Sequence, residues 1–310
     1  MNYIEPINQL KLFGLEKYLL ELIRLYKAKI FPNKILLSGQ KGIGKSTLAY
    51  HFINYVLSEN QDYKYDLKSF QINPYNPTFK TIINKSNINL ININNYFEKK
   101  SIDINQIRNL INKLNKSSLN DKPRFVLIDN IEFLNLNSVN ALLKIIEEPN
   151  FNVYFILINN NKKVFSTLLS RCINFKIKLS NEDSIKVSRK LLGENLESLI
   201  NFDFINYYFT PGNLYNLIKF ADENDYDLSK LDLKNFLKDI IKENYYKKHH
   251  FIKFIIFDLI EFYFRKINES FSSNIHEKYS YFINRISDTK TFNLDEDSLL
   301  REFEQKVLNG

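Results

Sequence analysis

Ile35-Leu36-Leu37-Ser38-Gly39-Gln40-Lys41-Gly42-Ile43-Gly44-Lys45-Ser46-Thr47-Leu48-Ala49-Tyr50 decides how this chain is read. Three of the seven glycines, Gly39, Gly42 and Gly44, fall inside it and fit the pattern G-x-x-x-x-G-K-[ST], closed by Lys45 and Ser46. The apolar Ile35-Leu36-Leu37 ahead of the glycines reads as a buried strand. Behind them, Thr47 to Leu57 carries apolar residues at helical spacing. Strand, glycine loop and helix form the context in which this motif binds phosphate. Glycines let backbone N–H groups turn inward as an anion nest, and the helix N-terminus adds the positive end of its dipole. Gly39, Gln40, Lys41, Gly42, Ile43, Gly44, Lys45, Ser46 and Thr47 are therefore the candidate nucleotide-binding residues. Lys45 is expected to reach the β- and γ-phosphates, and the Ser46 hydroxyl to ligate Mg²⁺. The alternative is a glycine turn that binds nothing.

Working outward, the chain opens with a loop at Pro6 and a helix over Leu15 to Tyr26; Pro32-Asn33 then turns it into the first strand. Asn60 to about Asn95 is polar, contains Pro74 and Pro77, and reads as an elaborated surface connection with a strand at Ile88 to Ile93. A helix capped by Ser101 or Asp103 runs through Leu114. Phe125-Val126-Leu127-Ile128-Asp129 reads as a central parallel strand with an acid at its end. Downstream of a P-loop, that acid is the expected second Mg²⁺ residue, Asp129 completing the shell that Ser46 begins; a strand-end cap is its bland reading. Asn137-Ser138 is expected to cap a helix from Val139 to Glu148 that Pro149 ends. Val153 to Ile158 is a further apolar strand. Lys162 to Ser170 reads as a helix and Ile173 to Ile177 as a last strand. Alternating strands and helices imply an α/β fold with a parallel sheet covered on both faces.

After Leu179 only helices are expected: Glu182–Leu192, Asn195–Ile200, Gly212–Ala221, Leu231–Tyr246, His250–Phe271 and Leu299–Val307, with Ala221 to Ser229 as a linker. The implied domains are residues 1–178, an α/β P-loop unit; 179–227, a helical lid; and 228–310, a helical terminal domain.

The 310 residues carry 44% hydrophobic and 25% charged side chains, with 26 Phe, 19 Tyr and no Trp, an ordinary globular composition. The net charge of +8 permits contact with nucleic acid or acidic partners without demanding either. Cys172 is the single cysteine, so no disulfide forms within the chain. His51, His249, His250 and His276 are scattered, and no zinc is expected. The N-terminus lacks a signal pattern, and no apolar run approaches ~18 residues, so the expected location is the cytoplasm, with no membrane contact.

Two further stretches carry a resemblance. Asn140-Ala141-Leu142-Leu143-Lys144-Ile145-Ile146-Glu147-Glu148-Pro149, after the Asp129 strand, resembles the N-A-L-L-K-x-[LI]-E-E-P signature of bacterial clamp-loader AAA+ subunits; Ser170-Arg171-Cys172 resembles their S-R-C motif. Among these subunits the chain is most similar to the delta-prime type of DNA polymerase III. Motor subunits have Asp-Glu where this chain has Asp129-Asn130, and Asn130 cannot act as a base. Glu132, two positions further on, is expected to point elsewhere. Tyr215 stands where the motor subunits have an arginine that senses the γ-phosphate. The resemblance implies ATP and Mg²⁺ binding with little turnover. It makes Arg171 an arginine finger acting in trans on a neighbouring subunit's ATP, an effect worth about 10³–10⁵ in rate. Asn159 or Asn160 would be the sensor of the γ-phosphate. The four-cysteine zinc module of many relatives is absent from the sequence. The implied partners are motor ATPases and a clamp-opening subunit in a hetero-oligomeric ring, with the sliding clamp and primed DNA reached through the complex. In that ring 228–310 would form the collar, the apolar run Phe251 to Ile260 packing in part on other subunits or closing the chain's own core.

Three rivals remain. An active motor subunit of the same ring would have Glu132 or another acid support hydrolysis. A stand-alone P-loop enzyme, such as a small-molecule kinase, would need a charged substrate cluster that the helical half lacks. A DNA-binding module would use the basic charge, but no helix-turn-helix, RNA-recognition or zinc-finger pattern accompanies it.

Overall fold

The computed structural model describes residues 5–93, 101–116, 120–148, 151–193, 195–205, 209–268, 273–292 and 294–309. The chain forms two compact units, Met1–Lys190 with Thr210–Gly212, and Leu191–Phe209 with Asn213–Gly310.

The first unit runs α1 (Glu16–Lys27), β1 (Lys34–Ser38), α2 (Lys45–Ser58), α3 (Pro77–Ile83), β2 (Leu90–Ile93), α4 (Ile104–Leu114), β3 (Arg124–Ile128), α5 (Leu136–Glu147), β4 (Val153–Asn159), α6 (Ser166–Leu169), β5 (Ile173–Lys176) and the greater part of α7 (Asn181–Leu192). All strand pairs are parallel, in the order β2-β3-β4-β1-β5. Helical crossovers between parallel strands cover both faces, and the strands alternate their side chains between them. Leu36, Val126, Ile128, Phe155 and Leu157 enter a core with Ile107 and Leu110 of α4 and Leu142 and Ile146 of α5. On the opposite face, Phe125 and Tyr154 are register partners whose rings stack 5.6 Å apart. Phe52 of α2 and Tyr26 of α1 meet them edge-on. Thus α2 is enclosed almost throughout, including the polar His51, Asn54 and Ser58. An α/β unit with a parallel sheet and a second unit of helices make up the fold class expected from the alternation of strands and helices.

The second unit contains α8 (Leu196–Leu199), α9 (Pro211–Glu223, after its first two residues), α10 (Leu233–Lys242), α11 (Tyr245–Lys248), α12 (His250–Asn268), α13 (Ser273–Phe292) and α14 (Glu296–Phe303). Phe264, Phe282 and Phe303, from α12, α13 and α14, pack ring to ring at 5.4–5.9 Å. Ile252, Ile255, Ile256, Leu259 and Ile260 are fully buried, closing this unit's own core.

Several elements differ from the sequence expectation. The connection after α2 contains α3, because Pro77 is its first residue and Asn76 accepts from Phe79 N at 2.9 Å; proline suits that position. Asp103, not Ser101, caps α4, in a reciprocal box with Gln106. Asn135 caps α5, accepting from Ser138 N at 2.9 Å, so the helix begins before Asn137-Ser138. The helix expected over Lys162 to Ser170 shrinks to the four residues of α6. The single helix expected over Leu231 to Tyr246 breaks at Asn244, a left-handed residue at φ 54. The twenty-residue α13 was not legible. Pro149, and the expected extension of α12 to Phe271, lie outside the described residues. Among the described residues no helix is long and apolar enough to cross a membrane.

Candidate functional site

Three loops leave the C-terminal ends of β1, β4 and β3, which are neighbours in the sheet. That crevice is where open α/β sheets place ligands. The first loop is the glycine run. Gly39 N donates to Asn159 O at 3.2 Å, tying the loop to the end of β4. A Cβ on Gly39 would lie 2.4 Å from the Ile177 carbonyl oxygen, so only glycine fits. Gly42 and Gly44 have φ of +87° and +94°, and Gly44 turns directly into α2. Lys45 is buried, and its Nζ donates to Gly39 O at 2.8 Å and Gln40 O at 2.6 Å. An ammonium has three donors, so these two bonds fix the lysine across the loop and leave one for an anion.

Ser46 and Asp129 meet as expected: Ser46 Oγ donates to Asp129 Oδ2 at 2.5 Å, and Asn130 N donates to Oδ1 at 2.8 Å. Burial raises the Asp129 carboxyl, opposed by the Ser46 hydrogen bond and the Lys45 charge. Burial lowers Lys45 to about 8 and Lys41 to about 8; Lys162 pushes Lys41 further the same way, while Asp129 and Glu132 act against both shifts. Two desolvated ammonium groups at the glycine loop favour a polyanion. A hydroxyl and a carboxylate together are the hard oxygen donors that Mg²⁺ takes, so the residues present fit that ion.

Glu132 does not point elsewhere. Asn130 adopts a left-handed conformation at φ 59 and starts a one-turn 3₁₀ helix, Ile131–Phe133. That turn brings the Glu132 charge within reach of Lys41, Lys45 and Asp129. Asn160 Nδ2 donates to Asn130 Oδ1 at 2.8 Å and Glu132 Oε1 at 3.0 Å. Asn159 instead folds onto its own turn, exchanging bonds of 3.1 and 3.2 Å with the Lys162 backbone. Of the two asparagines, Asn160 meets the Asp129–Glu132 turn.

Sequence reasoning missed a further contact within the first unit. Thr210 Oγ1 donates to Lys41 O, and Gly212 N donates to Gly42 O, both at 2.8 Å. A Cβ on Gly212 would lie 2.8 Å from Gly42 Cα and O, so two glycines are needed for this approach. A Thr-Pro-Gly run opening a helix was the available signal.

Arg171 is not brought to the loop. It follows α6, and its partners are Glu147, Thr167 and Ser170. Cys172 beside it is half-buried, and burial pushes its thiol up to about 11.

Residues 14–181 match the family model described as DNA polymerase III, delta subunit. The chain is 32% identical over 160 residues to DNA polymerase III subunit delta' of Buchnera aphidicola subsp. Baizongia pistaciae, covering 48% of this chain and 46% of that one. It is 28% identical over 244 residues to the delta' subunit of subsp. Schizaphis graminum, covering 75% and 65%. A gamma subunit from subsp. Acyrthosiphon pisum is 29% identical over 156 residues, covering 48% and 39%. The matches to the two delta' proteins span less than two thirds of their length. The family match covers more than half of the chain and takes in the glycine loop, the Asp129 strand and the Arg171 turn, so this chain belongs to the DNA polymerase III delta subunit family of clamp-loader proteins.

Proposed function

We propose that this chain is a delta-prime-type subunit of a DNA polymerase III clamp loader. It binds ATP with Mg²⁺, hydrolyses it poorly, and lends Arg171 to a neighbouring subunit's ATP. The carrying observation is the Ser46–Asp129 junction followed by Asn130: a formed cradle for a nucleotide whose next residue cannot take a proton. Lys45 and the loop amides would hold the β- and γ-phosphates; Lys41 adds a second cation. Ser46 and Asp129 would hold Mg²⁺, which supplies charge neutralisation of the phosphates when bound. Asn160, rather than Asn159, is the better candidate to sense the γ-phosphate. Tyr215, the fifth residue of α9, carries no positive charge where the motor subunits have an arginine in the sequence pattern. On this reading residues 179–227 act as lid and 228–310 as collar of a cytoplasmic ring that includes motor ATPases and a clamp-opening subunit. Through the ring it would help load the sliding clamp onto primed DNA.

The test is nucleotide binding by the isolated chain, followed by single-turnover hydrolysis. Mg²⁺-dependent ATP binding that Lys45→Ala abolishes, with turnover far below the ~1 s⁻¹ at which working enzymes begin, supports the reading. Brisk hydrolysis by the isolated chain contradicts it.

One observation favours a second reading, an active motor subunit. Glu132 is held by Asn160 beside Lys41, Lys45 and Asp129, where a water-polarising acid is wanted. If Glu132 serves as that acid, Glu132→Gln lowers turnover about 10²-fold or more and leaves ATP binding intact. If the first reading holds, Glu132→Gln leaves the slow rate unchanged.

A further inference from the structure

Arg171 directs its donors into its own chain. Nε and Nη2 both reach Glu147 Oε1, at 2.9 and 2.7 Å. Nη1 reaches Thr167 O at 2.9 Å and Ser170 Oγ at 3.4 Å. A guanidinium has five N–H donors, so four are occupied. Glu147 is the last residue of α5, where the negative end of the helix dipole repels a carboxylate. Arg171 offsets that repulsion, which accounts for the pairing. Yet the Arg171 and Glu147 side chains keep 36% and 50% of their surface exposed. An exposed pair of this kind shifts an equilibrium by only about one- to five-fold. The arginine is thus held in place without being locked.

A polyphosphate presents more charge and more acceptor oxygens than one carboxylate, so it competes for the same fork of donors. Leu169 and Ile173, two residues either side of Arg171, are exposed at 40% and 55%, with Phe165 at 41%. Exposed apolar side chains close to a cation along the chain suit a protein that carries the anion better than they suit a free anion.

We propose that Glu147 is the resting partner of Arg171, displaced when the polyphosphate of a nucleotide on an adjoining P-loop subunit takes its place. This rests on Arg171 acting in trans. Glu147 is a positioning residue: it sets how readily the arginine is released and touches no nucleotide itself.

The experiment measures ATP turnover by the reconstituted clamp-loader assembly with this subunit as wild type, Glu147→Gln, Arg171→Ala and the double variant, at low and high salt. Glu147→Gln should raise turnover about two- to five-fold at low salt. The gain should shrink at ~1 M salt, where the Debye length of about 3 Å already screens the wild-type pair. The double variant should match Arg171→Ala. A Glu147→Gln gain that persists in the Arg171→Ala background, a fall towards the Arg171→Ala rate, or no change with Arg171→Ala defective overturns the resting-partner role alone. Wild-type turnover in Arg171→Ala instead overturns the finger itself.

Discussion

Ser46 and Asp129 stand 83 positions apart in sequence, and the Ser46 hydroxyl donates to the Asp129 carboxylate at 2.5 Å. This bond joins the start of α2 to the end of β3, so the two expected Mg²⁺ ligands already share one point in space. Ser46→Ala should therefore lower ATP affinity about ten-fold or more in Mg²⁺, since hydrogen bonds and ligation at a charged group are worth about 1.5–3 kcal/mol. In EDTA the variant and wild type should bind alike. Paired titrations with Mg²⁺ and with EDTA check this.

Lys41 and Lys45 give opposite pH trends for binding and stability. Burial holds both near 8, against 10.5 for ordinary lysine, and a polyphosphate needs them charged. ATP affinity should fall as pH rises from about 8 to 10, a range in which exposed lysines stay charged. The free protein behaves conversely. Between about 8 and 10.5 the unfolded chain binds more protons than the folded one, so these lysines make stability rise with pH. Affinity that stays constant to pH 10 would refute the close approach of these lysines to phosphate.

Gly212→Ala should injure the glycine loop from a distant point in sequence. The new Cβ would meet Gly42 backbone at 2.8 Å, and backbone cannot rotate away as a side chain can. Forced overpacking costs about 1–3 kcal/mol, and the displaced loop should also bind ATP more weakly. Thr210→Val, which removes the hydrogen bond to Lys41 O without adding a Cβ at Gly42, should cost about 1 kcal/mol. Denaturant unfolding and ATP titration of both variants distinguish the two effects.

His51 predicts acid sensitivity. It is buried, and Nε2 donates to Gln9 O at 3.0 Å because a carbonyl can only accept. Nδ1 then accepts from the Tyr65 hydroxyl at 2.8 Å. Burial lowers the imidazole to about 4 from 6.5. Between those values the unfolded chain takes up the proton and the folded chain does not, so stability falls as pH drops from 6.5 to 4. The loss is roughly 3 kcal/mol, since each tenfold change in proton affinity is worth about 1.4 kcal/mol. Unfolding at pH 7 and 4.5 should show this component in the wild type and lack it in His51→Gln.

The glycine loop and Asp129 were legible because each sits where a periodic element ends, and β3 and α2 announce themselves by apolar spacing. Glu132 was not, because Asn130 turns left-handed and counting positions along a strand fails past such a residue. The choice of Asn160 over Asn159 rests on a local turn that returns the Asn159 side chain to Lys162, which no pattern encodes. Pro77 read as a loop residue although it opens α3. Within α13, Ser273 to Phe292 has too few apolar residues at helical spacing to stand out, and packing of Phe282 against Phe264 and Phe303 helps hold it. The Arg171–Glu147 pair links two motif stretches that were each visible, but only folding reveals that they touch.

ATP hydrolysis by the reconstituted clamp-loader assembly, with Lys45→Ala or Arg171→Ala placed in this subunit alone, tests the central claim most directly. A subunit that binds ATP without hydrolysing it and lends its arginine loses assembly turnover through Arg171→Ala and keeps nearly all of it with Lys45→Ala. The reverse pattern, with Lys45→Ala damaging and Arg171→Ala silent, would mean that this chain hydrolyses ATP itself and that Arg171 serves only its own fold.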